Sequence, residues 1–174
     1  MNNEKLESAL MALRVAIQTE KDGREFYLSA AQKTDDPQGK ALFSSLADDE
    51  LDHLRLLEAQ QEALMKEQRW LPYFEPGEEV QPTEVEGAPI FSRQALAEDI
   101  NTYTSELSAL RMAFLMERDT VAFYSRAASQ TDDPDGKAMY QYLVGMEKEH
   151  QRILEAEYNA LAKEFWSTMG FEPF

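Results

Sequence analysis

No cysteine occurs in the 174 residues, which excludes disulfides, thiolate nucleophiles, iron–sulfur clusters and four-cysteine iron sites. Any redox chemistry must use another kind of centre. Long apolar runs are missing too: no segment approaches the roughly 18 apolar residues of a membrane span. The N-terminal stretch "MNNEKLESALMALRVAIQTE" has no basic start followed by an apolar run, so the expectation is a cytoplasmic protein with no membrane partner. Positive charge is scarce, with 17 Lys and Arg against 33 Asp and Glu and a net charge of −16. That balance argues against nucleic acid, whose phosphates require clustered cations. It suits either the gathering of cations or simple solubility. Strand patterning is nearly absent. Histidine is rare as well, at two residues.

Those two, His53 and His150, each close a Glu-x-x-His triplet, Glu50 to His53 and Glu147 to His150, and they stand 97 residues apart. Glu20 recurs as Glu117 at the same spacing. The repeat is wider than these residues: "ALRVAIQTE" returns as "ALRMAFLME", and "EFYLSAAQKTDDPQGKA" as "AFYSRAASQTDDPDGKA". It runs without insertion from Leu10 to Pro76 and from Leu107 to Pro173. Solenoid units are shorter, about 20 to 50 residues, so a duplicated helical hairpin is the reading.

Apolar residues recur at alternating steps of three and four through four segments. Helices are expected from Asn3 to Lys33, from Pro37 to about Arg69, from about Thr104, and from Pro134. Each hairpin turn reads "TDDP". Asp36 and Asp133 can cap the following helix by accepting backbone N–H bonds, and Pro37 and Pro134 sit where no N–H is missed. Residues 71 to 91 hold four prolines, two glycines and five glutamates, a composition against regular helix. A short extra helix can begin at Ser92. If the second and third helices are parallel, the chain must travel back roughly 45 Å along the bundle, the length of 30 helical residues. More than twenty extended residues, at about 3.3 Å each, span that distance. The expected fold is therefore all-α, a ferritin-like four-helix bundle of two antiparallel hairpins joined by a long crossover. It forms one domain over 1–174, with hairpins at 3–69 and 104–166, a crossover at 70–103 and a tail at 167–174.

On these helices Glu20, Glu50, His53, Glu117, Glu147 and His150 occupy seam positions that otherwise carry core apolar residues. Three-residue spacing puts both side chains of each Glu-x-x-His on one face. Counted from the turns, Glu20 and Glu50 lie at one level, as do Glu117 and Glu147. With the turns at opposite ends, all six converge near the middle. Four buried carboxylates without partners would cost several kcal/mol each, whereas four Glu charges balance two divalent ions. Oxygen and nitrogen ligands without sulfur suit Fe, with Mn as an alternative, better than structural Zn, although Zn can enter on purification. A single Glu-x-x-His would more often be a solvated face. Two copies, each matched by a Glu at its level, are a metal-binding pattern.

The six residues, with "EKDGREFY" and "ERDTVAFY" around the lone glutamates, resemble the rubrerythrin-like branch of the ferritin-like superfamily over both repeats. The resemblance implies that Glu50 and Glu147 bridge two metals, that Glu20 and Glu117 are terminal ligands, and that His53 and His150 each hold one iron. Two departures stand out. Thr120 takes the place of the extra glutamate that rubrerythrins carry three residues after the third-helix ligand. The four-cysteine rubredoxin domain that usually delivers electrons has no counterpart, so reducing equivalents would come from a separate donor protein. Tyr27 and Tyr124, two turns beyond the lone glutamates, are either hydrogen-bond partners of a ligand carboxylate or packed core tyrosines. Asp49 can orient a ligand histidine through its second ring nitrogen, and Met146 stands in its place in the other half. Arg24 follows the Glu20 stripe, with Val121 as its counterpart. Met112, Met116, Met139 and Met146 are expected to fill core gaps.

Three functions fit these features. A di-iron oxidoreductase would reduce H2O2 or react with O2, with a manganese catalase-like activity as a variant. A ferroxidase would oxidise and pass on iron without an electron donor. A non-enzymatic scaffold would bind metal for stability or sensing. The long crossover also permits a homodimer, with or without exchanged hairpins.

Overall fold

In the computed structural model of the chain, residues 2–72 and 106–168 are described, with side chains as far as 163. Four helices make up nearly all of them: α1 (Asn3–Lys33), α2 (Pro37–Glu67), α3 (Glu106–Gln130) and α4 (Pro134–Thr168). No described helix is long and apolar enough to cross a membrane. The expected short helix from Ser92, most of the crossover and residues 169–174 lie outside the described residues.

Helix starts follow local chemistry. The Asn2 side chain accepts from the Lys5 amide at 2.9 Å and Asp36 Oδ2 from the Gly39 amide at 2.6 Å. Asp133 Oδ1 likewise accepts from the amides of Asp135 and Gly136. Each such cap contributes about 1 kcal/mol.

Helix ends depart from expectation in two places. Helix α2 stops at Glu67, two residues short of Arg69, and Gln68 turns the chain with a left-handed φ of 54°. The cause lies downstream, where the Gln60 amide clamps the Leu71 backbone with Oε1 accepting from its N–H at 2.9 Å and Nε2 donating to its carbonyl at 3.2 Å. That clamp holds Trp70 in the core, 3% exposed. Helix α4 runs to Thr168, two residues into the expected tail, because no glycine or proline interrupts "EFWST" before Gly170.

Helices α1 and α2 pack along their lengths, as do α3 and α4. Lys5, near the start of α1, pairs with Asp132 of the second turn at 2.7 Å. Glu106, at the start of α3, accepts from the Asp36 amide of the first turn at 3.3 Å. The two turns therefore lie at opposite ends, and α2 and α3 run parallel, as a long crossover requires.

Among the described residues the core has two apolar clusters. One contains Leu13, Ile17, Leu57, Val121 and Leu143, and the other Phe26, Phe43, Leu46, Leu110 and Leu154. Fully burying one such side chain stabilises by about 1.5–3 kcal/mol. Along α1 the order is Leu13 and Ile17, then Glu20 and Gly23, then Phe26 and Tyr27. A polar layer thus sits between two apolar ones. Met116 and Met139 are buried and Met112 packs against the second cluster, while Met146 is only half-buried and belongs to neither.

Candidate metal centre

Each helix contributes to that middle layer. Helix α1 supplies Glu20, α2 supplies Glu50 and His53, α3 supplies Glu117, and α4 supplies Glu147 and His150. All six are at most 3% exposed. Two groups of potential ligand atoms form, one from Glu20, Glu50, His53 and Glu147, the other from Glu50, Glu117, Glu147 and His150. Within each group the atoms lie within 4.8 Å of one another.

The oxygens are divided between the two histidines. Glu147 turns Oε1 toward His53 Nδ1 at 3.3 Å and Oε2 toward His150 Nδ1 at 3.2 Å. Glu50 does the same, with Oε2 at 3.6 Å from His53 Nδ1 and Oε1 at 4.0 Å from His150 Nδ1. Glu20 faces only His53, at 3.4 Å, and Glu117 only His150, at 3.7 Å. The imidazole rings stack 5.5 Å apart between centroids. Both rings present Nδ1 to the carboxylates, so the inner nitrogens are the ones available to a metal.

Several of these atoms are poorly served by the protein alone. Glu20 Oε2, Glu147 Oε1, both ring nitrogens of His53 and Nε2 of His150 are buried without a hydrogen-bond partner. Such a concentration of unsatisfied groups needs an explanation. Metal ions supply one for the inner atoms, Glu20 Oε2, Glu147 Oε1 and His53 Nδ1, since the donor set offers only carboxylate oxygen and imidazole nitrogen.

Protons do part of the same work in the metal-free layer. Burial, and then the charges of Glu20 and Glu147, push Glu50 well above the carboxylate range. Burial, with the charges of Glu117 and Glu20, raises Glu147 to about 7. Burial opposes ionisation of Glu117 as well, but contacts with His150, Glu147 and Tyr27 outweigh it and hold that group at about 2. Glu20 is likewise lowered despite burial, by Glu50, His53 and Tyr124. Burial would strip the proton from His150, yet Glu117 and Glu147 raise it to about 10. His53 is raised further in the same way by Glu147, Glu20 and Glu50. With Glu50 and Glu147 protonated, two carboxylates face two imidazolium rings. Four protons then balance the layer as two dications would.

The tyrosines cross between hairpins. Tyr27 of α1 donates its hydroxyl to Glu117 Oε1 of α3, and Tyr124 of α3 donates to Glu20 Oε1 of α1. Burial and the nearby carboxylates raise both phenols far above their ordinary value, so they remain donors. Asp49 approaches His150, with Oδ2 at 3.5 Å from Nε2. His53 Nε2 has no equivalent neighbour, so this support is one-sided. The buried Arg24 Nε has no hydrogen-bond partner, and Thr120 donates its hydroxyl to the Met116 carbonyl at 3.0 Å.

Gly23 was not singled out by sequence reasoning. A Cβ there would stand 3.4 Å from the Glu50 carboxylate, in ordinary contact, so the position has room for a methyl group but not for a longer side chain. The signal available was a glycine inside a strong helical pattern, which costs about 1 kcal/mol relative to Ala and calls for a packing reason.

The protein-family model described as Rubrerythrin matches residues 12–158, a span that contains all six clustered residues. The chain belongs to the rubrerythrin family. No curated protein matches it. Among solved structures, the chain is similar to "Hypothetical Protein Pfu-1136390-001" from Pyrococcus furiosus, at 27% identity over 89% of this chain and 90% of that one, with a TM-score of 0.64. It shares its fold with the bacterioferritin-related protein of Bacteroides fragilis, described as a dodecameric thioferritin, at 17% identity over 93% and 90% of the two chains and a TM-score of 0.66. A third neighbour is a two-domain protein from Anabaena variabilis with DJ-1/ThiJ/PfpI-like and ferritin-like domains. There the identity is 13%, the coverage 89% of this chain and 40% of that one, and the TM-score 0.64. Membership in the rubrerythrin family and the buried carboxylate–histidine layer together fit a di-iron site.

Proposed function

We propose that this rubrerythrin-family chain is a di-iron oxidoreductase that reduces hydrogen peroxide, or reacts with O2, using electrons from a separate donor. The observation that carries the reading is the division of Glu50 and Glu147, each offering one oxygen to each histidine. In this reading Glu50 and Glu147 would each be shared by two metal positions. Glu20 and His53 complete one, and Glu117 and His150 the other. Two ferrous ions held in this way supply two electrons together, the number needed to reduce H2O2 to water.

The chain's own part is positional. Tyr27 and Tyr124 each fix one oxygen of a terminal glutamate by donating to it, which leaves the other oxygen for metal. Asp49 steadies the His150 ring from behind, a contact that favours the tautomer with Nδ1 free. The two apolar clusters keep water from the layer, and low polarity around it strengthens every charge contact inside. We read both hairpins and the crossover as one domain. We take the assembly to be a homodimer, for which the exposed Met11, Val15 and Met65 offer apolar side chains to a second copy. Light scattering at several concentrations tests that assembly.

Anaerobic loading with Fe(II), followed by rapid mixing with H2O2 and separately with O2, tests the function. Faster oxidation by peroxide, reversed by an added reductant, is the expected result. Ferroxidase work is the second reading. The absence of cysteine favours it, since no thiolate-held electron carrier can form within these residues. Faster oxidation by O2 with continued uptake of Fe(II) would establish it instead.

A further inference from the structure

Tyr140 has no part in the site described above. It is fully buried on α4, and its hydroxyl has no hydrogen-bond partner. Leaving such a group unsatisfied is destabilising, and packing alone does not require it. Its counterpart in the first repeat, 97 residues earlier, is Phe43, equally buried.

The ring of Tyr140 bridges two other oxidisable rings. Its centroid lies 6.0 Å from that of Tyr124 and 5.8 Å from that of Trp70. Tyr124 donates to Glu20 in the polar layer. Trp70 lines a cavity of about 480 Å³ between the start of α1 and the second hairpin turn. In the other half, Tyr27 meets Phe26 and Phe43, rings that do not give up an electron under conditions that oxidise phenols and indoles.

We propose that Tyr124, Tyr140 and Trp70 form a one-sided path for single electrons between the carboxylate layer and the surface cavity. This rests on the redox reading of the same site. It gives an external one-electron donor a point of entry to the layer. The path reads equally in either direction. When an external one-electron oxidant takes an electron from the Trp70 indole, Tyr124 refills the indole through Tyr140, and the phenolic proton of Tyr124 passes to the Glu20 carboxylate. Tyr140 has no acceptor for its own proton, so the oxidising equivalent comes to rest on Tyr124.

The test uses the full-length W166F protein, whose only tryptophan is Trp70. Azide radical, generated by pulse radiolysis, oxidises the indole, and optical absorption follows the tryptophyl and tyrosyl radicals. The protein is taken without metal and again with Zn(II), which exchanges no electrons, so the outcome does not depend on whether iron binds or turns over. The expected result is tryptophyl decay matched by tyrosyl growth. That coupled growth is lost in W166F/Y124F and in W166F/Y140F. The Y140F change removes only an unbonded hydroxyl, and unchanged far-UV circular dichroism verifies its fold. Coupled growth at an unchanged rate in W166F/Y140F, or its persistence in W166F/Y124F, would overturn the path.

Discussion

Glu50 and Glu147 differ from the other two glutamates in where their oxygens point, and that difference separates the consequences of mutation. Because each faces both histidines, Glu50→Ala or Glu147→Ala is expected to abolish loading of both metals while most helix content remains. Glu20→Ala, which touches only the His53 side, should leave one metal per chain. Metal analysis beside circular dichroism checks both outcomes, and full occupancy in Glu50→Ala would refute the bridging role. The pH dependence follows from the same residues. His150, raised from 6.5 to about 10, contributes stability that is fully present below pH 6.5 and lost as pH rises through 10. Glu147, raised from 4.5 to about 7, adds a burial penalty that builds up between pH 4.5 and 7 and is complete above 7. Glu117, lowered to about 2, contributes stability that is lost only in strong acid. The metal-free chain should therefore be most stable near about pH 5 and weaken steadily toward pH 10, because the folded state holds more protons than the unfolded one over that range. Metal loading should release about four protons per chain near pH 6 and flatten the profile. A metal-free melting temperature that rose from pH 6 to 9 would contradict this assignment. The six clustered residues were legible in sequence because each replaces an apolar seam residue in a repeated pattern. Which tyrosine serves which glutamate was not, since those contacts join different hairpins.

Among the helices, beginnings were legible and endings less so. The Asp-Pro caps act within three residues, so Asp36 and Asp133 announce α2 and α4 directly, whereas the Asn2 cap of α1 was not singled out. The end of α2 depends instead on Gln60 gripping Leu71 and on Trp70 seated against Gly136 and Tyr140, partners up to 70 residues away in sequence. A Cβ at position 136 would lie 2.5 Å from the Trp70 ring. Gly136→Ala should thus displace the indole, costing roughly 1–3 kcal/mol, with a red-shifted Trp70 emission in the W166F background. Gly23 offers the opposite case. Alanine there meets Glu50 at an ordinary contact distance of 3.4 Å. Gly23→Ala should retain metal and gain up to about 1 kcal/mol of helix stability. Gly23→Leu should push the Glu50 carboxylate aside and lower metal occupancy. Equal metal content in the two variants would show that the glycine does not serve the site.

For the whole molecule, the duplicated hairpin and the parallel α2 and α3 were legible from the repeat and from the length of the proline-rich segment. Trp70 and Gln60 were not. They break the twofold likeness of the repeats, and a pattern built on what recurs passes over what does not. A bundle with a charged layer through its centre also couples metal to stability. At ligand concentrations about a hundred times Kd the folded state gains about 2.7 kcal/mol, so chelation should lower the melting temperature by roughly 5–10 °C. The central claim is that this layer is a dinuclear site shared by Glu50 and Glu147. An anaerobic titration of the metal-free chain with Fe(II), followed to its equivalence point, tests it most directly. The account predicts a break at two ions per chain, lost in Glu50→Ala. A break at one ion, or no binding at all, would contradict it.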